Sequence, residues 1–257
     1  MNSLNTNAPA ASKQPSGTRT GDKQEAQQNT GQGKERGVWA RRLHDNALSL
    51  VLIAFFLIFL VGQSVAGWYD YNQDQREHGD QAVTYLHYLT TGSFIESVGE
   101  NWESEFLQMS AYVLLTVFLV QKGSSESKDP DKEEEVDEDP RSKADDPAAP
   151  WPVRKGGWIL KLYENSLALA FLLLFLISLA LHVWGGSIEY SAEQVAHGQA
   201  AIPLLAYLLT PRFWFESLQN WQSEFLAIAC MVVLTIFLRQ RGSPESKPVA
   251  SPHRATG

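Results

Sequence analysis

Four segments of the chain carry almost no charge and are rich in Leu, Phe, Val, Ala and Ile, and they limit the possible folds more than any other feature. They comprise residues 47–67, 106–120, 166–185 and 225–238. The first and third are long enough to cross a bilayer, because a helix of about 20 apolar residues spans a hydrocarbon core of about 30 Å. The other two are shorter, and their length alone also fits buried helices of a soluble protein.

Tryptophan placement favours a membrane for all four segments. The chain has eight Trp residues, which lie at or near the segment ends or just outside them: Trp39, Trp68, Trp102, Trp151, Trp158, Trp184, Trp214 and Trp221. Indole rings prefer the headgroup level, where the ring is half dry and its N–H still reaches water. We expect interfacial anchors at Trp68, Trp102, Trp184 and Trp221. Counted from Trp102 to Gln121 and from Trp221 to Gln240, the shorter segments also reach spanning length.

The chain also contains an internal repeat. Residues 43–128 align with residues 162–247 at an offset of 119, apart from one insertion before Glu216 and one compensating deletion before Asn220. Matched strings include LHDNALSL from Leu43 with LYENSLAL from Leu162, and KGSSESK from Lys122 with RGSPESK from Arg241. Similarity of this length indicates duplication, and repeats in membrane proteins often pack about a pseudo-two-fold axis.

Basic residues predict the orientation in the membrane. They cluster before the first and third apolar segments and after the second and fourth: Arg36, Arg41, Arg42, Lys122, Lys128, Arg154, Lys155, Lys161, Arg239, Arg241 and Lys247. Among Lys and Arg residues, the loops 68–101 and 186–220 contain only Arg76 and Arg212. Because Lys and Arg favour the cytoplasmic side, we expect both termini and the central linker to be cytoplasmic.

These patterns predict an all-α integral membrane protein with four transmembrane helices. The helices form a tandem repeat of two two-helix units, residues 36–125 and 158–242, with helical extensions on the extracytoplasmic side. Residues 1–35 are polar, residues 126–157 are acidic, and residues 243–257 form a short tail. We expect these three segments to be disordered, because they cannot bury enough apolar surface to offset the entropy of ordering.

Capping residues predict where the second helix of each unit begins. In the first unit, Ser93 followed by Glu96 fits a capping box. In the second unit, Thr210 is suited to the N-cap because Pro211 follows it at the first helical position.

One candidate site is a pair of glutamates at matched positions. The strings NWESEFL and NWQSEFL place Glu105 and Glu224 at the outer edge of the second and fourth apolar segments. Carboxylates at membrane depth are costly and often line ion paths, so these residues are candidates for a proton or cation site. The alternative is that both lie at the headgroup boundary and simply reach water.

A second candidate pair is His78 and His197, which could form a pH-sensing or metal site across the pseudo-two-fold axis. The alternative is a helix stop, because each histidine precedes a glycine and an imidazole suits the negative end of a helix. Gln63, Ser64 and His182 are unmatched between the repeats, which makes them weaker candidates for a symmetric pathway.

Signs of catalysis are missing from the sequence. The single cysteine, Cys230, excludes an intrachain disulfide and a cysteine metal cluster. The chain has no Gly-rich phosphate loop, nucleophile elbow, zinc-protease motif or basic nucleic-acid patch. We therefore expect no enzymatic activity, no cofactor, no predicted metal centre and no nucleic-acid partner.

Several strings resemble a family of small bacterial integral membrane proteins that carries a domain-of-unknown-function label. They are ENWESEFLQMSAYVLLTVFL at residues 100–119, REHG at residues 76–79 and GSSESK from Gly123. The resemblance covers most of both repeats. It implies a bacterial protein, and hence a cytoplasmic membrane location, but it brings no substrate, cofactor or catalytic residue.

Three functional hypotheses follow from the sequence. The leading one is a non-enzymatic structural or interaction module of the cell envelope, whose partners are the lipid bilayer and other membrane proteins or further copies of the chain. The alternative is a small proton or cation transporter or channel that uses Glu105 and Glu224. A weaker alternative is an extracytoplasmic pH or metal sensor that uses His78 and His197. Four spans leave little room for an aqueous cavity, so conduction would need an oligomer.

Overall fold

The computed structural model describes residues 38–256, and the regular secondary structure of these residues is helical, with no strand among them. Four long helices account for just over half of the described residues: α1 Ala47–Glu77, α2 Gly92–Phe118, α3 Ser166–Ala196 and α4 Pro211–Phe237. Residues 38–45 are also helical and precede α1. The N-terminal tail, residues 1–35, for which the sequence predicts disorder, lies outside the described residues.

Three of these helices, α1, α3 and α4, are long and apolar enough to cross a membrane. This finding supports a membrane protein and three of the four predicted spans. The second predicted span lies in α2, which is not among the three. Its first half carries four glutamates, so the helix as a whole is less apolar: Glu96, Glu100, Glu103 and Glu105.

The helices of the two halves have the same lengths. Helices α1 and α3 each contain 31 residues, and α2 and α4 each contain 27. A helical turn precedes α2 at Tyr85–Tyr88, and another precedes α4 at Leu204–Tyr207, again 119 positions apart. Local signals therefore end the first helix and begin the second helix at matched positions in the two halves.

Glycines end α1 and α3. Gly79 and Gly198 adopt φ angles of +84° and +74°, in the left-handed region that glycine enters without a steric penalty. Each is preceded by a histidine whose ring bonds back to its own helix. The helix-stop interpretation of the His-Gly pairs therefore fits the local geometry.

Threonine hydroxyls cap α2 and α4. Thr210 Oγ1 accepts a hydrogen bond from the Phe213 amide, with Pro211 at the first helical position, so this predicted start is confirmed. The predicted start at Ser93 is wrong, because Thr91 caps α2 through the Phe94 amide. Thr91 precedes a glycine that allows the helix to begin two residues earlier than the capping-box pattern suggested.

Contacts divide the described residues into two units, and the boundary along the chain falls between Gln63 and Ser64 within α1. The smaller unit is helical, and its large apolar side chains, including Leu52, Phe55 and Phe59, are exposed. Exposure of this kind is what a lipid-facing helix requires. The larger unit, residues 64–256, contains the buried core and the candidate site.

Within the larger unit, the loop after each first helix is tied back to that helix in the same way. Asn72 exchanges hydrogen bonds with the backbone of Val83 at 2.6 and 3.0 Å. Ser191 does the same with the backbone of Ile202 at 3.2 and 3.3 Å. These ties bring the turn Leu204–Tyr207 back over α3.

Tyrosines from the two turns then pack over glycines. Tyr88 lies against Gly67, and Tyr207 lies against Gly186, where a Cβ would approach the Tyr207 hydroxyl to 2.5 Å. Tyr207 is fully buried, with Val183 and Phe213 in the same hydrophobic cluster. The absence of a side chain at Gly186 thus leaves room for the buried Tyr207 ring.

Helices α2 and α3 pack closely through small residues. A Cβ at Gly99 would lie 2.5 Å from the His182 amide nitrogen, and one at Gly92 would lie 2.7 Å from the Gly185 carbonyl oxygen. Small residues let helix backbones approach in this way in membrane proteins. Because Gly99 meets the backbone of residue 182, the interface sets the His182 side chain among the glutamates of α2.

The acidic linker, for which the sequence predicts disorder, forms short elements between α2 and α3. They are the 3₁₀ turns Glu135–Asp137 and Pro140–Lys143 and the α-helix Trp151–Lys155. The α-helix Gly157–Glu164 follows and belongs almost entirely to the second repeat unit. Ion pairs join Lys122 to Asp131 at 2.6 Å and Lys128 to Asp137 at 2.7 Å. Exposed pairs of this kind are each worth at most about 1 kcal/mol.

The C-terminal tail, for which disorder is also predicted, contains turns and bends but no helix over residues 243–256. Its Lys247 is buried, and the ammonium group donates to the carbonyl oxygens of Gly123, His253 and Ala255. Three carbonyl acceptors match the three donors of an ammonium group. The tail thus packs against the loop that follows α2.

Candidate functional site

A buried polar cluster lies where α2, α3, α4 and the turn Leu204–Tyr207 meet. We call it the acid–histidine cluster and define it by six residues: Glu96, Glu103, His182, Tyr207, Arg212 and Glu216. All six belong to the larger unit. Buried polar groups are costly unless they are paired, so each contact in this cluster is informative.

His182 lies at the centre of the cluster and has no exposed surface. Its Nδ1 is 2.7 Å from Glu103 Oε2, and Glu103 is also completely buried. Its Nε2 faces Glu216 Oε2 at 3.5 Å. The imidazole therefore lies between two carboxylates from different helices, with a short contact on one side and a long contact on the other.

The Tyr207 hydroxyl bridges two carboxylates. It lies 2.7 Å from Glu216 Oε2 and 2.9 Å from Glu96 Oε1. A phenol has a single proton to donate, so it can satisfy only one of these oxygens at a time. The other contact is between two acceptors unless a proton or another cation lies there.

Arg212 connects the cluster to the protein surface. Its Nε donates to Glu216 Oε1 at 2.8 Å, and its Nη1 donates to Glu193, whose side chain is 52% exposed. Glu216 is 18% exposed. A continuous series of polar contacts therefore runs from Glu193 through Arg212 and Glu216 to the fully buried His182 and Glu103.

Further side chains complete the surroundings of the cluster. Trp221 Nε1 donates to Glu103 Oε1 at 3.2 Å, and Asn220 Nδ2 donates to Glu100. The Phe213 ring packs beside His182, with 5.1 Å between the ring centroids. These apolar and amide groups limit access of water to the two buried residues.

Negative charge exceeds positive charge around the cluster. Six carboxylates lie in it or interact with its Arg and His: Glu96, Glu100, Glu103, Glu189, Glu193 and Glu216. The nearby cationic groups are Arg212 and, when protonated, His182. A partly buried site with this imbalance favours the binding of protons or other cations.

Two glutamates in the first half of α2 have raised pKa values, which is the direction that an excess of negative charge predicts. Burial, together with repulsion from Glu216, raises the pKa of Glu96 to about 7. Burial also raises the pKa of Glu100, although the hydrogen bond from Asn220 opposes the shift. Both groups therefore hold a proton more readily than an exposed glutamate does.

The predicted pair Glu105 and Glu224 lies outside the cluster. Glu105 is exposed and Glu224 is half-buried, and the two are close enough to repel each other. Gln108 Nε2 donates to the backbone oxygen of Glu224 at 2.7 Å, which joins α2 to α4. The structure thus brings the predicted pair together without placing either side chain among the contacts of the acid–histidine cluster.

His78 and His197 are both exposed. His78 Nδ1 contacts the Asp74 carbonyl oxygen at 3.0 Å, and His197 Nδ1 contacts the Glu193 carbonyl oxygen at 2.8 Å. The hydrogen bond to Asp74 raises the pKa of His78. Each imidazole is thus bound to its own helix, and these contacts lend no support to a shared site.

The four predicted anchor tryptophans differ in their surroundings. Trp68 Nε1 donates to the Val83 carbonyl oxygen at 2.8 Å, and Trp221 turns inward to Glu103. Trp184 is 49% exposed, and Trp102 is half-buried. Because Trp102 precedes Glu103 and Trp184 lies two residues after His182, the cluster lies at the level of these tryptophans.

The sequence contained a signal for this cluster that the repeat-based argument missed. Glu96, Glu100 and Glu103 follow an i, i+4, i+7 pattern, which places three carboxylates on one face of a helix. His182 is a weaker candidate for a symmetric pathway because its repeat counterpart is Gln63. A preference for matched residues therefore ranks the histidine of the cluster below the matched pair His78 and His197.

Comparisons with known proteins add a family assignment. No curated protein and no solved structure matches the chain. The match to a protein family covers residues 39–257, which is most of the chain and includes helices α1 to α4. The chain belongs to the family described as a domain of unknown function, DUF6766.

Proposed function

We propose that this protein is a non-enzymatic, multi-pass membrane protein that binds cations at the acid–histidine cluster and passes them between its helices. The excess of carboxylates around one buried histidine carries this proposal. Buried ionisable groups are expensive to maintain, so they are candidates for a functional site. Glu103 and His182 replace Glu105 and Glu224 as the residues on which transport would depend.

The polar contacts supply an entry route for cations. Glu193 is exposed, and the contacts lead inward through Arg212 and Glu216 to His182. Arg212 carries a permanent positive charge that repels cations, so its ion pairs with Glu193 and Glu216 have to open when a cation passes. The remaining carboxylates attract a cation from the surface toward the buried end.

Buried polar side chains continue beyond the cluster along the helix interface. In α2 and α3 they are Ser104, Gln108, Ser110 and Ser178. Ser110 Oγ donates to the Ala168 carbonyl oxygen at 3.2 Å, so this row reaches the first turn of α3. In α4, the buried Ser217 Oγ has no hydrogen-bond partner among the described residues. Such groups can contact a cation or a water molecule in transit.

The proposed topology has four spans arranged as a tandem repeat of two-helix units, with α2 as the second span. The equal helix lengths and the matched loop ties support this arrangement. Both termini would lie in the cytoplasm of a bacterial cell, and the protein would reside in the cytoplasmic membrane. The cluster would then face the extracytoplasmic side, and an oligomer would enlarge the path.

Liposome flux measurements test this function. The purified full-length protein is reconstituted, and uptake of H⁺, K⁺ and Zn²⁺ is followed under an imposed gradient. We expect flux in the parent, loss of at least tenfold in Glu103→Gln, and parental flux in Glu105→Gln. The control residue is two positions away on the same helix and is exposed. No flux in the parent, or equal flux in both variants, would contradict the proposal.

A structural module of the cell envelope is the second candidate. The close contacts at Gly92, Gly99 and Gly185 favour it, because they join α2 to α3 without any ligand. In that case the hydrogen bonds and ion pairs of the cluster serve to hold the helices together. Absence of flux in the parent, combined with loss of folded protein in Glu103→Gln, would favour this function. Its partners would be lipid, further copies of the chain or other membrane proteins.

A further inference from the structure

Three side chains of the acid–histidine cluster present ligand atoms toward one point. Glu96 from α2, His182 from α3 and Glu216 from α4 each offer one atom, and these atoms lie within 4.8 Å of one another. We propose that they bind a divalent first-row transition metal ion. This inference rests on the proposed cation-binding function and names the class of cation.

The distance between His182 and Glu216 suits two ligands of one ion. His182 Nε2 and Glu216 Oε2 are 3.5 Å apart, which is long for a hydrogen bond. Ligands at about 2.0–2.2 Å from a tetrahedral metal ion are separated from each other by about 3.3–3.6 Å. These two atoms are therefore already spaced as neighbouring ligands, and the ligand atom of Glu96 lies within 4.8 Å of both.

Glu103 prepares the histidine for this role. His182 Nδ1 lies 2.7 Å from Glu103 Oε2, and a proton on Nδ1 satisfies this contact. The Nε2 lone pair is then directed toward Glu216. Histidine ligands of metals commonly donate their other ring N–H to a carboxylate, which fixes the tautomer and the ring orientation. Trp221 in turn holds Glu103 in place through its second oxygen.

Tyr207 and Arg212 define which carboxylate oxygens remain for the ion. Arg212 occupies Glu216 Oε1, so Oε2 is the oxygen directed into the cluster. The Tyr207 hydroxyl lies near both Glu96 Oε1 and Glu216 Oε2 but can donate to only one. A divalent ion between the two carboxylates would bind the oxygen to which the hydroxyl does not donate, so both oxygens would then have a partner.

The ligand types select the metal class. Imidazole nitrogen suits Zn²⁺, Fe²⁺, Ni²⁺ and Cu²⁺, whereas Mg²⁺ and Ca²⁺ prefer oxygen ligands alone. Two ionised carboxylates offset the two positive charges of the ion. Three protein ligands leave a coordination position open for water or Tyr207, as in sites that exchange what they bind.

Zinc titration of the purified full-length protein tests the site. The protein is stripped with a chelator in detergent, and Zn²⁺ binding is measured by calorimetry for the parent, His182→Asn and His78→Asn. Asparagine keeps a donor near the position of Nδ1 and removes Nε2, while His78 is an exposed control. We expect one ion per parent chain, at least tenfold weaker binding in His182→Asn, and parental binding in His78→Asn.

Other variants keep the test decisive if His182→Asn does not fold. Glu96→Gln retains an acceptor for Tyr207 but removes a ligand charge, so it is expected to weaken Zn²⁺ binding at least tenfold. Glu103→Gln acts through the imidazole and is expected to weaken binding about 10- to 100-fold. The visible absorption of Co²⁺ in the parent reports a low-coordinate site with nitrogen ligation.

Several results would overturn the inference. They are no Zn²⁺ binding by the parent, equal binding by the parent and the folded ligand variants, or displacement of Zn²⁺ by an equal concentration of Ca²⁺. Flux that depends on Glu103 without Zn²⁺ binding would reject the metal site and retain the proposed function. Zn²⁺ binding without any flux would retain the metal site and reject transport.

Discussion

Substitution of Gly99 by alanine tests whether the α2–α3 interface positions the cluster. The added Cβ would lie 2.5 Å from the His182 amide nitrogen, whereas ordinary contact begins at 3.4 Å. The helices therefore have to separate by about 0.9 Å, the difference between these distances. The obstructing atoms belong to the backbone of α3, which cannot rotate away as a side chain can.

The energetic effect has two parts of opposite sign. Overpacking of a tight interface costs about 1–3 kcal/mol. Replacement of a helical glycine by alanine gains about 1 kcal/mol from helix propensity. Gly62→Ala in α1 isolates the second part, because nothing lies within 4 Å of a Cβ at that position. We expect Gly99→Ala to be less stable than Gly62→Ala by about 1–3 kcal/mol.

Titration with denaturing detergent in mixed micelles measures the free energy of unfolding of both variants. We also expect weaker Zn²⁺ binding in Gly99→Ala than in Gly62→Ala, because His182 moves with the backbone that Gly99 contacts. Equal stability of the two variants would refute the close approach of α2 and α3. Lower stability with parental Zn²⁺ binding would show that this interface does not position the metal ligands.

Three further predictions concern single side chains around the cluster. Burial raises the pKa of Glu100 above its ordinary value of 4.5, so the stability contributed by this group falls as pH rises from about 4.5 through the raised pKa. Glu100→Gln is therefore expected to raise the melting temperature at pH 8 and to leave it unchanged at pH 4. A shift of the same size at both pH values would be inconsistent with the raised pKa. Thr210→Ala removes the cap of α4 and is expected to cost about 1 kcal/mol in the same detergent titration, against no measurable change in Thr90→Ala, a threonine that donates within its own turn but caps no long helix. Tyr207→Phe deletes the hydroxyl between two carboxylates and is expected to cost about 1–3 kcal/mol without Zn²⁺ and less with it, because the ion takes over the freed oxygens; an equal cost in both conditions would count against the metal site.

Helix ends were the best-predicted part of the fold, because the signals that set them are local. Thr210 and Pro211 predicted the start of α4, and the glycines after His78 and His197 coincide with the ends of α1 and α3. A cap or a left-handed glycine acts through hydrogen bonds within a few residues. The start of α2 was misplaced, since Thr91 caps this helix in place of Ser93.

The spans were predicted less completely. Length and apolar composition marked α1 and α3 clearly, and α4 also meets both conditions. Helix α2 joins a polar half to an apolar half, so its relation to the bilayer depends on what covers its glutamates. Their partners come from α3, α4 and the turn Leu204–Tyr207, none of which is adjacent to α2 in sequence.

The candidate site was only partly accessible from the sequence. The sequence drew attention to Glu105 at the start of the second apolar segment, whereas the structure buries Glu103 and leaves Glu105 exposed. These residues are two positions apart, which is a rotation of about 200° around a helix. One of them therefore faces inward when the other faces outward, and only the packing of α2 on α3 decides which.

The sequence by itself determined the helical class, the apolar segments, most helix ends and the equal lengths of the two helix pairs, because these depend on residues close together in the chain. Tertiary structure alone decided the composition of the acid–histidine cluster. His182 and Glu103 are 79 positions apart, and they meet because Gly99 lets two helix backbones approach each other. No local pattern encodes that contact, since it depends on the angle and distance at which separate helices pack.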